Sequence, residues 1–242
     1  MAVPQYFLRL WQKLKKGLLF LFAAHFIYLI MLKWVNPPIT ITQLSGWISG
    51  EGLRRQYVSM DEISPQAPLA VMAAEDQLFP DHNGFDVKSI QKAIDSNEKN
   101  KKKLRGASTI SQQVAKNVFL WQGRSWIRKG LEVYFTFMIE GIWGKKRILE
   151  VYLNVAEMGK GIYGIEAASQ FYFHKPAKNL TAPEAARIAA CLPNPKKYTI
   201  SPTSPYITKR FPWVVRQMDN LRGDKEIQEL ITTTPKRLKA TL

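Results

Sequence analysis

One cysteine, Cys191, stands among 242 residues. No intrachain disulfide is possible, and the apolar setting ARIAACLP reads as a buried structural thiol rather than a nucleophile. Redox compartment is therefore not readable. Acids are scarce: 19 Asp and Glu face 35 Lys and Arg, for a formal net charge of +16. Such a field draws polyanions, phosphates or an anionic membrane surface without choosing among them. Internal repeats, a long alternating strand pattern and metal-ligand spacings are all missing. The one low-complexity stretch, NEKNKKKLRG, has the composition of a mobile basic loop. What is present is a hydrophobic content of 46%, which excludes disorder. The length suits one sizeable domain plus a smaller appendage.

The appendage is N-terminal. GLLFLFAAHFIYLIML carries no Lys, Arg, Asp or Glu, and Trp34 and Val35 extend it past Lys33. As a helix, 17–35 spans roughly 28 Å, about one hydrocarbon core. Arg9, Lys13, Lys15 and Lys16 precede it without an acid, so the spacing predicts a cytoplasmic basic segment over 1–16, an anchor over 17–35 and a translocated remainder. A cleaved signal peptide has a shorter apolar core and a small-x-small site, which LKWVNPP does not offer. His25 is tolerated inside the span as a neutral imidazole. NPPITITQLSGWISGEG reads as a juxtamembrane connector over 36–62 with short β-prone pieces, in which Trp47 and Ile48 suit the membrane interface. Helical periodicity follows at 65–79, 87–97, 109–119, 126–143, 147–157, 163–173, 182–191, 209–221 and 225–232, so the domain over 63–242 is expected to be all-α.

Four stretches carry candidate chemistry. In AAEDQLFPDHNGFD an apolar helix delivers Glu75 and Asp76, and Phe79-Pro80 is expected to stop it. Negative charge in a last helical turn is disfavoured by the dipole, which raises a carboxylate's pKa and suits proton abstraction. A surface ion pair for Glu75 and a loop cap by Asp76, with His82 and Gly84 shaping a turn, is the plainer alternative. In GASTISQQVAKN, Gly106 to Thr109 open a helix; Ile110, Val114 and Val118 make an apolar stripe. Thr109, Gln112, Gln113, Lys116 and Asn117 make a polar arc, either solvated or suited to a sugar phosphate. GRSWIRKGLEVYFTFMIEGIW presents a broad apolar face of Leu131, Tyr134, Phe135, Met138, Ile139 and Ile142. Beside it, Glu132 is either an i, i+4 partner of Arg128 or a second carboxylate held at a cleft. Arg124, ahead of this helix, can fork onto an anion.

EDQLFPDHNGFD, GASTISQQVAKN, RKGLE, KKRILEVYLN and EAARIAACLPNPKKYTISP resemble, in this order, the signature motifs of the peptidoglycan glycosyltransferase family, glycosyltransferase family 51. The resemblance runs from about 69 to 202. Val114 stands where the family more often has Leu, and NEKNKKKLR is an insertion. It implies a lysozyme-like helical domain that polymerises lipid II into glycan strands with release of undecaprenyl diphosphate. It further implies Glu75 as general base and Glu132 as a second essential glutamate that orients basic residues or the diphosphate. Lys116 and Arg124 match the residues thought to bind the diphosphate. Ser108, Asp76, Gln112, Gln113, Asn117, Arg128 and Lys129 match supporting positions at the substrate. No organic cofactor is implied; a divalent cation, Mg or Mn, would arrive with the diphosphate. Partners would be lipid II, the lipid-linked glycan, membrane lipid and cell wall synthesis or division proteins, with no nucleic acid, at the inner membrane. Bifunctional relatives add a transpeptidase with Ser-x-x-Lys and Lys-Thr-Gly. Here SIQK and SNEK occur in one helical stretch and Lys-Thr-Gly is missing, so the chain resembles the monofunctional, membrane-anchored type. Two rivals remain: a lysozyme-like or lytic enzyme that cleaves glycan, which has no diphosphate for Lys116 and Arg124 to bind, and a tethered basic protein that binds nucleic acid or anionic lipid, which leaves Glu75 and Glu132 without a task.

Overall fold

The computed structural model describes residues 5–99, 106–123 and 125–232. Arg124 and residues 100–105 of the Lys-rich loop lie outside the described residues. The chain divides into two compact units, Met1–Pro37 and Pro38–Leu242.

The first unit is a single helix, α1 (Gln5–Met31), whose segment Tyr6–Met31 is long and apolar enough to cross a membrane. It starts well before Gly17 because Lys and Arg are good helix formers and continue the apolar run without a break. It ends at Met31, ahead of the expected Val35, with Pro37 and Pro38 following closely.

The second unit is helical with one small sheet. The connector, expected to hold short β-prone pieces, contains α2 (Ile41–Ile48), started by a capping box in which Thr40 accepts from the Gln43 backbone and Gln43 reaches back to Thr40. The chain then runs through β1 (Arg54–Arg55), α3 (Gln66–Glu75), α4 (Val87–Lys99), α5 (Ile110–Phe119), α6 (Trp126–Ile142) and α7 (Lys145–Val155). It continues with β2 (Glu157–Gly159), β3 (Ile162–Tyr163), α8 (Ile165–Phe173), α9 (Ala182–Cys191), α10 (Pro205–Leu221) and α11 (Lys225–Ile231). In the sheet, β3 lies between β1, to which it is parallel, and β2, to which it is antiparallel. Gly161 (φ +68°) brings the turn between β2 and β3 against the Glu51 carbonyl, where a Cβ would collide.

The core is built around α3, buried all round from Ala67 to Ala73 and packed on α9 and α10. A second layer sets α5 against α6 and α7. Cys191 is buried in α9, its thiol donating to the Met158 carbonyl (3.3 Å), and burial pushes the thiol up to about 12. The apolar face expected of α6 is buried in part: Ile139 lies in the core, Phe135 stacks on Phe119 of α5 and Met138 and Ile142 are half-buried, while Leu131 and Tyr134 are exposed; the helix also buries Glu132 and Thr136. A stripe spaced i, i+4, i+7 suffices for packing, and it contains a carboxylate.

Candidate functional site

Glu75 is the last residue of α3. The helix stops there, short of Phe79-Pro80, because Asp76 turns to φ −160° while its N–H still bonds the Met72 carbonyl. Asp76 is then fixed from two sides. Its carboxylate accepts the Ile110 N–H at the start of α5 (2.9 Å) and lies 3.0 Å from His82 Nε2. His82 Nδ1 accepts the Gly84 N–H (3.2 Å), so the ring proton sits on Nε2 and is donated to Asp76. Lys145 Nζ donates to the His82 carbonyl and pairs with Glu140 (2.8 Å). Gly84 (φ +86°) leaves no room for a Cβ against Thr136. The sequence-level turn of Asp76, His82 and Gly84 is thus a rigid mount under Glu75.

The Glu75 carboxylate accepts from Gln113 Nε2 (2.8 Å), and Gln113 Oε1 accepts from the buried Tyr152 hydroxyl (3.1 Å). Burial pushes the Glu75 carboxyl above its ordinary value; the Gln113 hydrogen bond and the positive charges of Arg210 and Lys116 oppose that rise. Arg210, on α10, donates to the Ala74 carbonyl (3.4 Å) and stacks over Trp213 at 3.8 Å. Sequence reasoning missed it, because KRFPWVV carries no motif and only the packing of α10 on α3 brings it near.

Lys116 follows Gln113 by one turn on α5. Burial pushes its ammonium down, Glu132 and Glu75 pull it back up, and Arg128 and Lys129 push it down further. Glu132 is 3% exposed and accepts from Arg128 (2.7 Å) and Lys129 (2.5 Å). The i, i+4 pair with Arg128 is therefore real, and its carboxylate also acts on Lys116. The polar arc of α5 is not a solvated face: Thr109, Gln112 and Asn117 are buried, and Gln113 and Lys116 are half-buried. Gln112 is occupied in the capping box with Thr109 (3.0 Å).

Two cavities meet at this arc. One, of about 810 Å³, is lined by Glu75, Asp76, Ser108, Gln113, Ser89 and Lys92 among others. The other, of about 410 Å³, is lined by Gln113, Lys116, Asn117, Tyr152, Glu157 and Lys196 among others. Gln113 lines both. Arg128, Lys129, Glu132 and Gln112 line neither. In the smaller cavity Lys196 pairs with Glu51 (2.6 Å), and burial pushes the nearby Glu157 carboxyl up. That cluster was also not legible, since Glu51 and Lys196 lie 145 residues apart. Among the described residues no group of three or more His, Cys, Asp or Glu converges to cage a metal. The arrangement can take a proton at Glu75 in one cavity and neutralise an anion at Lys116 in the other, with Gln113 between them.

Residues 42–219 match the family model described as Transglycosylase. The chain is similar to a biosynthetic peptidoglycan transglycosylase of Yersinia pestis (strain Pestoides F), 48% identical over 235 residues, covering 94% of this chain and 98% of the relative. A biosynthetic peptidoglycan transglycosylase of Yersinia pseudotuberculosis serotype O:3 (strain YPIII) is 50% identical over 228 residues, covering 91% and 95%.

Proposed function

Because this chain belongs to the transglycosylase family, we propose that it is the glycosyltransferase that joins lipid II into the glycan strands of peptidoglycan. The 4-hydroxyl oxygen of the acceptor sugar bonds to the anomeric carbon of the donor. The bond from that carbon to the diphosphate oxygen breaks, its electron pair leaving with undecaprenyl diphosphate, and the hydroxyl proton passes to the Glu75 carboxylate. The observation that carries this reading is the pairing, on either side of Gln113, of a base whose affinity for a proton is raised with a half-buried ammonium. Lys116 stabilises the charge that develops on the leaving diphosphate. Glu132, held by Arg128 and Lys129, keeps Lys116 charged against its burial. Ser108, Asn117 and Gln113 offer hydrogen bonds to sugar. Arg124 joins Lys116 at the diphosphate on the strength of the family resemblance. A divalent cation, Mg or Mn, accompanies the diphosphate as part of the substrate.

The anchor confines the enzyme to the plane in which a lipid-linked substrate diffuses. The arginine and lysines before the span favour a cytoplasmic N-terminus and a periplasmic catalytic unit in the inner membrane. Exposed Trp47, Ile48 and Trp126, the last 92% exposed, suit an interface with lipid. Division or elongation proteins are its natural companions there.

The test is to incubate the purified full-length protein with labelled lipid II. Polymer is expected from the wild type and none from Glu75→Gln. No polymer from wild type, or full activity in the Gln variant, sinks the reading; fragmentation of preformed glycan would point to a cleaving enzyme instead.

A further inference from the structure

Both substrates of the proposed reaction are lipid diphosphates, yet only one of them leaves. The donor's diphosphate departs at Lys116. The acceptor keeps its own, one disaccharide away from the hydroxyl that attacks, and that anion must also enter a groove containing several carboxylates. A site for this second anion rests on the glycosyltransferase reading.

An inverting displacement places nucleophile and leaving group on opposite sides of the anomeric carbon. Of these two cavities, Glu75 lines only the larger and Lys116 only the smaller, with Gln113 on both. The acceptor therefore occupies the larger cavity, whose volume of about 810 Å³ is nearly twice the other's and falls within the roughly 300–1,000 Å³ of small-molecule sites. Among the described residues lining it, Lys92 is the one cation. Two of its three acids are already engaged. Asp76 is held by His82 and the Ile110 N–H, and Asp86 caps the start of α4 by accepting the Ser89 N–H (2.9 Å), which contributes to holding its carboxyl below the usual range. The third is Glu75.

Lys92 follows Ser89 by three residues on α4, so the two side chains share a face. No described carboxylate lies within ion-pair distance of Lys92. No residue of α4 is buried, so core packing does not account for a lysine at this position. Ser108 enters the same cavity from the loop before α5. An ammonium with hydroxyls beside it is the donor set that a phosphate oxygen accepts from. We propose that Lys92, assisted by Ser89 and Ser108, binds the retained diphosphate of the acceptor and so sets the register in which the 4-hydroxyl meets Glu75.

The test separates the two substrates. The donor is a lipid-linked glycan capped at its terminal 4-hydroxyl, so that it can only donate; labelled lipid II is the acceptor, and initial rates of formation of the product that carries both cap and label are measured with each substrate titrated in turn. Lys92→Ala is expected to raise the acceptor KM roughly tenfold, the scale of one charged hydrogen bond, with the donor KM unchanged. Lys92→Arg should stay near wild type, and thermal melting of both variants should match it, since the side chain is exposed. Equal changes in both KM values, a change in kcat alone or no change overturns the assignment while the glycosyltransferase reading stands. Failure of the wild type to incorporate acceptor overturns both.

Discussion

Gln113 donates its amide to Glu75 at 2.8 Å and accepts the Tyr152 hydroxyl at 3.1 Å. The second bond fixes the orientation of the first: with its oxygen held by a buried phenol, the amide presents only N–H to the carboxylate. Gln113→Ala is expected to lower kcat by about ten- to a hundredfold, short of the loss from removing the base itself. It also removes a hydrogen bond that favours the ionised carboxylate, so the Glu75 pKa rises further and the acid limb of the pH–rate profile moves to higher pH. A profile displaced to lower pH, or unmoved, contradicts the arrangement.

Glu75 should cost the protein stability. Burial raises its carboxyl pKa in the folded chain, so folding favours the protonated form. Its contribution is therefore fully present below the unfolded value and is lost as pH rises through the folded one. Glu75→Gln is expected to melt about 2–4 °C above wild type at pH 7, with the gap closing as pH is lowered below the ordinary carboxylate range. Melting curves at a series of pH values check this, and a gap that widens in acid refutes it.

Glu132 neutralises a crowded corner. Arg128 is largely buried beside it and Lys129 is partly exposed. Glu132→Ala leaves one buried guanidinium without its partner and is expected to cost about 3 kcal/mol, the low end for breaking a buried pair because Lys129 keeps its water. The loss of the carboxylate also pushes the Lys116 ammonium further down, so the alkaline limb of the rate profile should shift to lower pH. Denaturant unfolding and the pH profile of any residual turnover measure the two effects separately.

Much of this site is legible in the chain because it is local. The turn from Glu75 to Gly84 is punctuated by His, Asn and Gly, and the start of α5 by Gly, Ser and Thr. Glu132 sits one helical turn from Arg128 and one from Lys129. What is not legible depends on distant segments meeting. Arg210 reaches Glu75 only because α10 packs on α3, and Glu51 meets Lys196 only through the tertiary fold. Two local signals mislead. The Thr40-x-x-Gln43 cap of α2 is overshadowed by neighbouring Pro, Gly and Ser, and the apolar face of α6 resembles a full core face by composition although Leu131 and Tyr134 on it are exposed.

The bond from the Ile110 N–H to Asp76 joins residues 34 apart and closes the chain between them into a ring. Closure entropy grows only with the logarithm of loop length, each doubling costing about 0.6 kcal/mol. Glu75 precedes one end of that bond and Gln113 follows the other by three residues, so their spacing is set where the ring closes, by this bond and by the one from Gln113 to Glu75, and not by the length of chain the ring encloses. The fold thereby places the position of the base under the control of one clasp between two helix ends, at Asp76 and Ile110.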